Sequence, residues 1–329
     1  MTHVTRRRFL LTSAAAVAVS AGPLTPAFVR AQGTSIKIGT AVLGDYGLAG
    51  PLVVAIEKGL FKAQGLAVEF VPFRGGPDLS KGVLSGEVLI GISGATDVLV
   101  FRERGAPVKM IASHVDGNDF TLNVSLDINS VADLKGKSIG VTAPGSTTWL
   151  FARMVAKQQG WNPDKDVTIV ALGGLDAQLA ALSRKETAGF VWGDGGAVFE
   201  QQKKSKILMR LDQVAPKWIS LNQYATEESI KKHADTIRKA QRGIFGAIKM
   251  MKANPKDTAD VVSKRMGWTV DEILFTHAKV TGPLFSDDGR FSVDAFKAMQ
   301  DTLLEEKVLT KRLPLDEHYT TEFTPVRVV

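Results

Sequence analysis

Cysteine is absent from the chain, which removes thiol catalysis, thiolate metal sites and disulfides together. Histidine is scarce. His3, His114, His233, His277 and His318 are scattered and form neither HxH nor HExxH, so no local spacing supports a metal site. Long apolar runs are missing too: the stretch from Phe9 to Ala21 is too short to span a bilayer well. No basic tract interleaved with aromatics occurs, which leaves no nucleic-acid footprint. The densest basic cluster, Lys203-Lys204-Ser205-Lys206, reads as a solvated helix end. A large net charge is also lacking. The formal value is +7, but residues 1–31 carry four arginines and no acid, which leaves +3 for the remainder. No carboxylate pair stands out for acid–base chemistry.

Two common motifs are approached and missed. Gly44, Gly47 and Gly50 make GxxGxxG, with Asp45 where a dinucleotide fingerprint needs a second close glycine. The following strand ends at Arg74 instead of a ribose-binding acid. Gly91-Ile92-Ser93-Gly94-Ala95 has the outline of a nucleophile elbow but Ala95 replaces its final glycine.

What is present begins with an export pattern. Thr5-Arg6-Arg7-Arg8-Phe9-Leu10-Leu11 fits a twin-arginine signal, followed by small apolar residues and by Val29-Arg30-Ala31, where cleavage after Ala31 is expected. This places the working protein in the periplasm.

Beyond it, short β-branched runs alternate with helical patterns. Strands are expected at Ile36–Leu43, Ala67–Phe73, Gly86–Ser93, Val108–Ser113, Phe120–Leu126, Ser138–Thr142, Val167–Leu172 and Gly189–Trp192. Such alternation predicts parallel sheets covered by helices. After Trp218 the pattern turns helical. Ile237, Ala240, Ile244, Ile248 and Met251 share a face, Asn254-Pro255 ends that helix, and Thr269 with Glu272 makes a capping box. Two α/β units followed by helices suggest a tail that packs back on the first unit. Lobe 1 would then comprise residues 32–122 and 221–329, and lobe 2 residues 123–220. Hinge crossings are expected near Thr121–Val124 and Ile219–Tyr224.

The central stretch runs from Lys137 to Ala156. A strand breaks at Pro144-Gly145, and Ser146, Thr147 or Thr148 can cap the helix that follows. Free N–H groups, hydroxyls and the positive end of the helix suit an anion; the alternative is a plain capped strand–helix turn. Other polar loops fall at strand C-terminal ends: Gly44 to Tyr46, Gly75-Gly76, Ser93-Gly94, His114, and Trp192 to Asp194. Ligands of open α/β sheets sit outside those ends.

Four stretches carry a resemblance: Ala55 to Val100, including Lys58-Gly59-Leu60-Phe61; Ala132 to Leu150, including Asp133-Leu134-Lys135-Gly136-Lys137; Gly189 to Asp194; and the helical tail from Tyr224. Together they resemble the nitrate/sulfonate/taurine-type solute-binding proteins of ABC importers, in the wider thiamine-pyrimidine-synthase-like superfamily. The resemblance implies a periplasmic binding protein type II-like α/β fold: two α/β lobes, a cleft and a two-segment hinge. It implies a monomer without catalysis or cofactor that delivers a small organic acid to a permease and its ATPase. It places Gly76, Ser93, Gly94, Gly145, Ser146, Thr147 and Trp192 in the cleft; the strand-end loops add Tyr46, Gly75, His114 and Asp194. Leu89 stands where the family often has Asp, and Asp194 where it often has Pro. An acid in the cleft would favour a zwitterion or an amine. The alternatives are a pyrimidine-synthase-like enzyme, which an export signal and the lack of cysteine disfavour, and a sensory binding module.

Overall fold

The computed structural model describes residues 33–328. The expected signal peptide, with Arg6, Arg7 and the cut after Ala31, lies outside them. Among the described residues no helix is long and apolar enough to cross a membrane.

Among the described residues ten strands form two five-stranded sheets. The first contains β1 (Thr34–Thr40), β2 (Leu66–Pro72), β3 (Ile90–Gly94), β4 (Val108–Asp116) and β10 (Ile219–Thr226), in the order β2-β1-β3-β10-β4. The second contains β5 (Thr121–Val124), β6 (Ser138–Val141), β7 (Thr168–Ala171), β8 (Gly189–Trp192) and β9 (Lys206–Arg210), in the order β7-β6-β8-β5-β9. The two orders follow one plan. In the first, β1 runs parallel to β2 and β3, with Ile38 opposite both Phe70 and Ile90. In each sheet the fourth position is antiparallel: β10 against β3 and β4, β5 against β8 and β9.

The sheets are therefore mixed, not purely parallel as the alternation suggests. The reason is in the path. A strand that follows a covering helix returns parallel, whereas β5 and β10 each enter from the other sheet with no covering α-helix between, only the short 3-10 turn Leu211–Gln213 before β10. The chain crosses between β4 and β5, and again between β9 and β10. Both crossings lie a few residues earlier than the spans expected, because Thr121–Val124 and Ile219–Thr226 are fully paired interior strands. The two crossing segments run together. Asn118 Nδ2 donates to the carbonyls of Leu211 at 2.9 Å and Ala215 at 3.2 Å, and Gly117 bridges Ile219.

Two further differences concern Lys206 and the helical region. Lys206 opens β9 instead of ending a helix; its Nζ donates to Leu126 O at 3.0 Å. The strand Ile219–Thr226 precedes the C-terminal helices, and its alternation was masked by Asn222 and Gln223, which are polar yet fully buried.

The C-terminal helices form as their patterns require. The helix Ala234–Ala253 buries Ile237, Ala240, Ile244, Ile248 and Met251. Each of the larger side chains gains ~1.5–3 kcal/mol by leaving water. This helix packs on elements of the first sheet. A Cβ on Gly243 would stand 2.5 Å from the Phe61 ring, and Gln241 Nε2 donates to Ile111 O of β4 at 3.2 Å. Gly267, at φ 73°, ends the helix Pro255–Met266, and the Thr269–Glu272 capping box opens the next.

Candidate functional site

The first sheet feeds three helices from its C-terminal edge: Tyr46–Glu57, Gly76–Leu84 and Ala95–Glu103. The second feeds Thr147–Gln158 in the same way. Their N-cap residues are Asp45, Gly75, Gly94 and Ser146, and all four line one small cavity between the sheets. The first-turn N–H groups of a helix lack intrahelical partners, and each helix end carries roughly half a positive charge. Four such ends converge here. The cavity measures about 50 Å³, room for about four waters or one molecule of similar bulk. Val42, Leu48, Phe120, Trp192 and Leu221 supply its apolar walls.

Of the expected site residues, Gly75, Gly76, Gly94, Ser146, Thr147 and Trp192 line the cavity together. Ser146 caps its helix: its Oγ accepts from Trp149 N and is bonded to Thr142 and Thr148. Thr147 is buried, and its Oγ1 has no partner. Trp192 donates through Nε1 to Gly44 O at 2.9 Å, joining a strand end of the second sheet to a loop of the first.

The other five lie outside the lining. Gly145 makes the preceding turn at φ 78°. Ser93 lies within β3, and Asn222 Nδ2 donates to its carbonyl at 3.0 Å. Tyr46 is buried, its hydroxyl 3.0 Å from His277 Nδ1. His114 sits inside β4, not at its end. Its Nε2 donates to Gly47 O at 2.9 Å, Gln223 Nε2 approaches its Nδ1 at 3.3 Å, and burial pushes its pKa down to about 4. It is therefore neutral at pH 7. Arg74 is exposed, so neither group brings positive charge to the cavity.

Asp194 does something the spacing did not suggest. It projects from the end of β8 and caps a helix of the opposite sheet. Its Oδ1 accepts from Tyr46 N and its Oδ2 from Gly47 N, both at 2.8 Å, and Thr281 Oγ1 also donates to it. The carboxylate thus occupies the positive end of the helix Tyr46–Glu57.

Sequence reasoning missed Asp45 and Asp97 as lining residues. Both are nearly fully buried. Asp45 Oδ1 accepts from Leu48 N at 3.0 Å, as an N-cap should. Asp97 is in the first turn of its own helix. Nothing in the spacing of either residue shows that these two helix starts meet at one cavity. No Lys, Arg or His lines the cavity among the described residues.

Five carboxyls near the crossing are pushed up among the described residues, Asp116 at the end of β4 among them through its burial. Burial raises Asp97 to about 7. Burial and the neighbouring Asp194 charge raise Asp119 to about 7, and burial raises Asp194 to about 6. Burial, Asp194 and Asp119 raise Asp45 well above the carboxylate range. A raised acid binds more protons folded than unfolded. Its contribution is complete below its unfolded value near 3.8 and is lost as pH rises through the folded value. His114 and His318, both pushed down to about 4, act with the opposite sign. They do so only where an unfolded imidazole is charged, below roughly pH 7. The unliganded protein is therefore expected to melt a few degrees lower at pH 8 than at pH 6.5, and Asp119→Asn to flatten that slope. A melting temperature that rises across this interval would contradict the assignment.

A family model described as "NMT1/THI5 like" matches residues 49–258, more than half of the chain. The chain belongs to the NMT1/THI5-like family. Among curated relatives, a nitrate/nitrite binding protein of Nostoc sp. is 29% identical over 220 residues, covering 52% of this chain but 49% of that protein. The match thus spans about half the length of that relative. The taurine-binding periplasmic protein of Escherichia coli is 29% identical over 241 residues, covering 70% of this chain and 71% of its own. Among solved structures, the alkanesulfonate-binding protein of Xanthomonas axonopodis pv. citri, bound to MOPS, superposes with a TM-score of 0.73 at 17% identity, over 87% of this chain and 97% of its own. This establishes the fold as that of periplasmic binding proteins.

Proposed function

We propose that the protein is the periplasmic ligand-binding component of an ABC importer, closing two lobes over a small organic acid and delivering it to a permease and its ATPase. The observation that carries this reading is the convergence of four helix N-termini, from two different sheets, on one small cavity, with Asp194 already on the first-turn N–H groups of one of them, the helix Tyr46–Glu57. Such a field suits an acid group. The acid would lie on the N–H groups and hydroxyls at Ser146 and Thr147, and Trp192 would face its apolar part. The relatives named for nitrate or nitrite and for taurine share a small ligand with an acidic or anionic group.

The lobes would comprise residues 32–122 with 221–329, and residues 123–220. Closure would bend the paired crossings. Export by the twin-arginine route, with cleavage after Ala31, completes the reading. An enzyme is disfavoured by the chain's lack of cysteine and by relatives that are named as binding proteins.

A thermal-shift screen of sulfonates, nitrate, taurine, aromatic carboxylates and pyrimidines tests the proposal. Ligand at ~100 Kd should add about 2.7 kcal/mol of stability. Small organic acids are expected to raise the melting temperature. Stabilisation by neutral compounds alone would overturn the reading.

A further inference from the structure

Three buried carboxyls meet where the two sheets touch. Asp194 comes from the end of β8, Asp45 from the start of the helix Tyr46–Glu57, and Asp119 from the crossing between β4 and β5. None is more than 4% exposed. Asp194 and Asp45 share one helix start: Asp194 accepts from the N–H groups of Tyr46 and Gly47, and Asp45 from that of Leu48. They are close, since a Cβ on Gly193 would stand 2.2 Å from Asp45 Oδ2. Asp119 Oδ1 accepts from Ser220 Oγ, and its Oδ2 has no partner. The surroundings do not neutralise the cluster. His114 donates to Gly47 O and His277 lies at the Tyr46 hydroxyl, and burial pushes both imidazoles down, toward their neutral form. Arg210 acts on Asp119 but is engaged by Asp212 at 3.3 Å and by Lys279 O at 3.0 Å, and Lys279 Nζ pairs with Glu200. Asp116 takes the Ser113 hydroxyl and faces Asp287 and Asp288. Asp97 lines the same cavity with the Ser93 hydroxyl of its own sheet beside it.

Closure itself builds this cluster. Asp194 belongs to one lobe and Asp45 to the other, so opening parts the two carboxyls and returns water to them. Burial and like charge both oppose ionisation, so the closed arrangement holds protons more tightly than the open one. We propose that a proton is a second ligand of the closed form: shutting the cleft takes up a proton into the Asp45–Asp119–Asp194 cluster, and proton and organic acid each tighten the binding of the other. This rests on the two-lobe closure proposed above. Asp194 keeps its charge, because two backbone N–H groups, the Thr281 hydroxyl and the positive helix end hold it. The proton falls to Asp45 and Asp119, which the Asp194 charge pushes up together with burial, Asp119 to about 7. The coupling is reciprocal. Affinity for the acid is therefore full below the raised values and falls as pH rises through them, by up to about tenfold per pH unit for one proton.

Isothermal titration of the exported, folded protein with ethanesulfonate, whose acid group stays ionised throughout, tests this at pH 6, 7 and 8. At pH 7 the titration is repeated in phosphate, imidazole and Tris, whose different ionisation heats reveal the protons exchanged. Binding is expected to take up about half a proton or more at pH 7, and the Kd to rise at least about fivefold from pH 6 to pH 8. Asp45→Asn with Asp119→Asn keeps the cap and the Ser220 contact, and should abolish both effects. Asp97→Asn should leave the proton uptake in place. The wild-type series decides even if a variant folds poorly. Binding with no proton uptake and one Kd across the series would overturn the proton's role and leave the importer reading standing. Uptake that survives the double substitution, or is lost in Asp97→Asn alone, would overturn the assignment to this cluster. Scattering of the unliganded protein decides if ethanesulfonate does not bind. Contraction at pH 5.5 relative to pH 8.5, absent from the double variant, would support the linkage, and an equal radius at both would overturn it.

Discussion

Gly94→Val is expected to weaken ligand binding more than 100-fold while leaving the unliganded protein folded. Gly94 ends β3 at φ −59° and ψ 138°, a conformation open to any L-residue, so a side chain adds no backbone strain. The obstacle is across the cleft. A Cβ at Gly94 would stand 2.2 Å from Thr147 Oγ1 and 3.2 Å from Thr147 Cβ, at the start of the helix from the other sheet. Its next nearest neighbour, Ser220 O, is 3.8 Å away, an ordinary contact. The added Cβ therefore collides only with the opposing wall. Each lobe can pack as before, but the cleft cannot shut by the last few ångströms, and the walls that must both touch a small ligand stay apart. Gly94→Ala should fall between the extremes, because the Thr147 hydroxyl can rotate away. Adding Thr147→Ala to Gly94→Ala should recover part of the loss, the non-additivity expected of residues in contact. Titration calorimetry and thermal melts of the three variants measure this. A Gly94→Val protein that binds at wild-type affinity would show that ligand is not held between these walls.

Asp194→Ala is expected to weaken binding by about 10- to 100-fold, about 1.4–2.8 kcal/mol. The side chain reaches from the end of β8 to two backbone N–H groups of the facing helix and to the Thr281 hydroxyl. Hydrogen bonds to a charged group contribute about 1.5–3 kcal/mol each. Part of that is offset by like-charge repulsion, since the Asp194 charge raises Asp119 and, together with Asp119, raises Asp45. These bonds join the two sheets, so they exist only when the loops meet. Removing them shifts the population toward the open form, and apparent affinity falls by the same factor. Asp194→Asn should lose less, since the amide keeps one acceptor. Calorimetry of both variants against wild type gives the ratio. An unchanged affinity in Asp194→Ala would mean that the contact does not contribute to closure.

Much of the architecture was legible because it rests on local signals. Pro144-Gly145-Ser146 announces a strand end and a capped helix by backbone chemistry alone, and the structure has Ser146 in that role. The face running from Ile237 to Met251 is read from a 3.6-residue period and is buried throughout. Direction of the entering strands was not legible, because parallel or antiparallel pairing of β5 and β10 depends on partners far away in sequence. Asn222 and Gln223 also interrupt the apolar pattern of β10, since their burial is offset by hydrogen bonds that only the assembled sheet and its neighbours supply.

The site divides in the same way. Glycines and hydroxyls at helix starts declare themselves, and Gly75, Gly76, Gly94, Ser146 and Thr147 do meet at one cavity. His114 misled because its strand continues to Asp116, which turns a strand-end histidine into a buried one. Asp45 was weighed only against a dinucleotide fingerprint, and nothing in its spacing marks Asp97 as facing a cavity. Asp194 could not have been assigned from spacing, as the helix it caps begins 148 residues earlier.

Small-angle scattering of the wild-type and Gly94→Val proteins, each with and without saturating 2-aminoethanesulfonate, tests the closing cleft most directly. The wild type is expected to contract on ligand addition and to approach the profile calculated from the present closed arrangement. The variant is expected to keep its larger radius of gyration at every ligand concentration. An unchanged wild-type radius at ligand concentrations where calorimetry shows the site full, or a variant that contracts equally, would contradict closure of two lobes over the ligand.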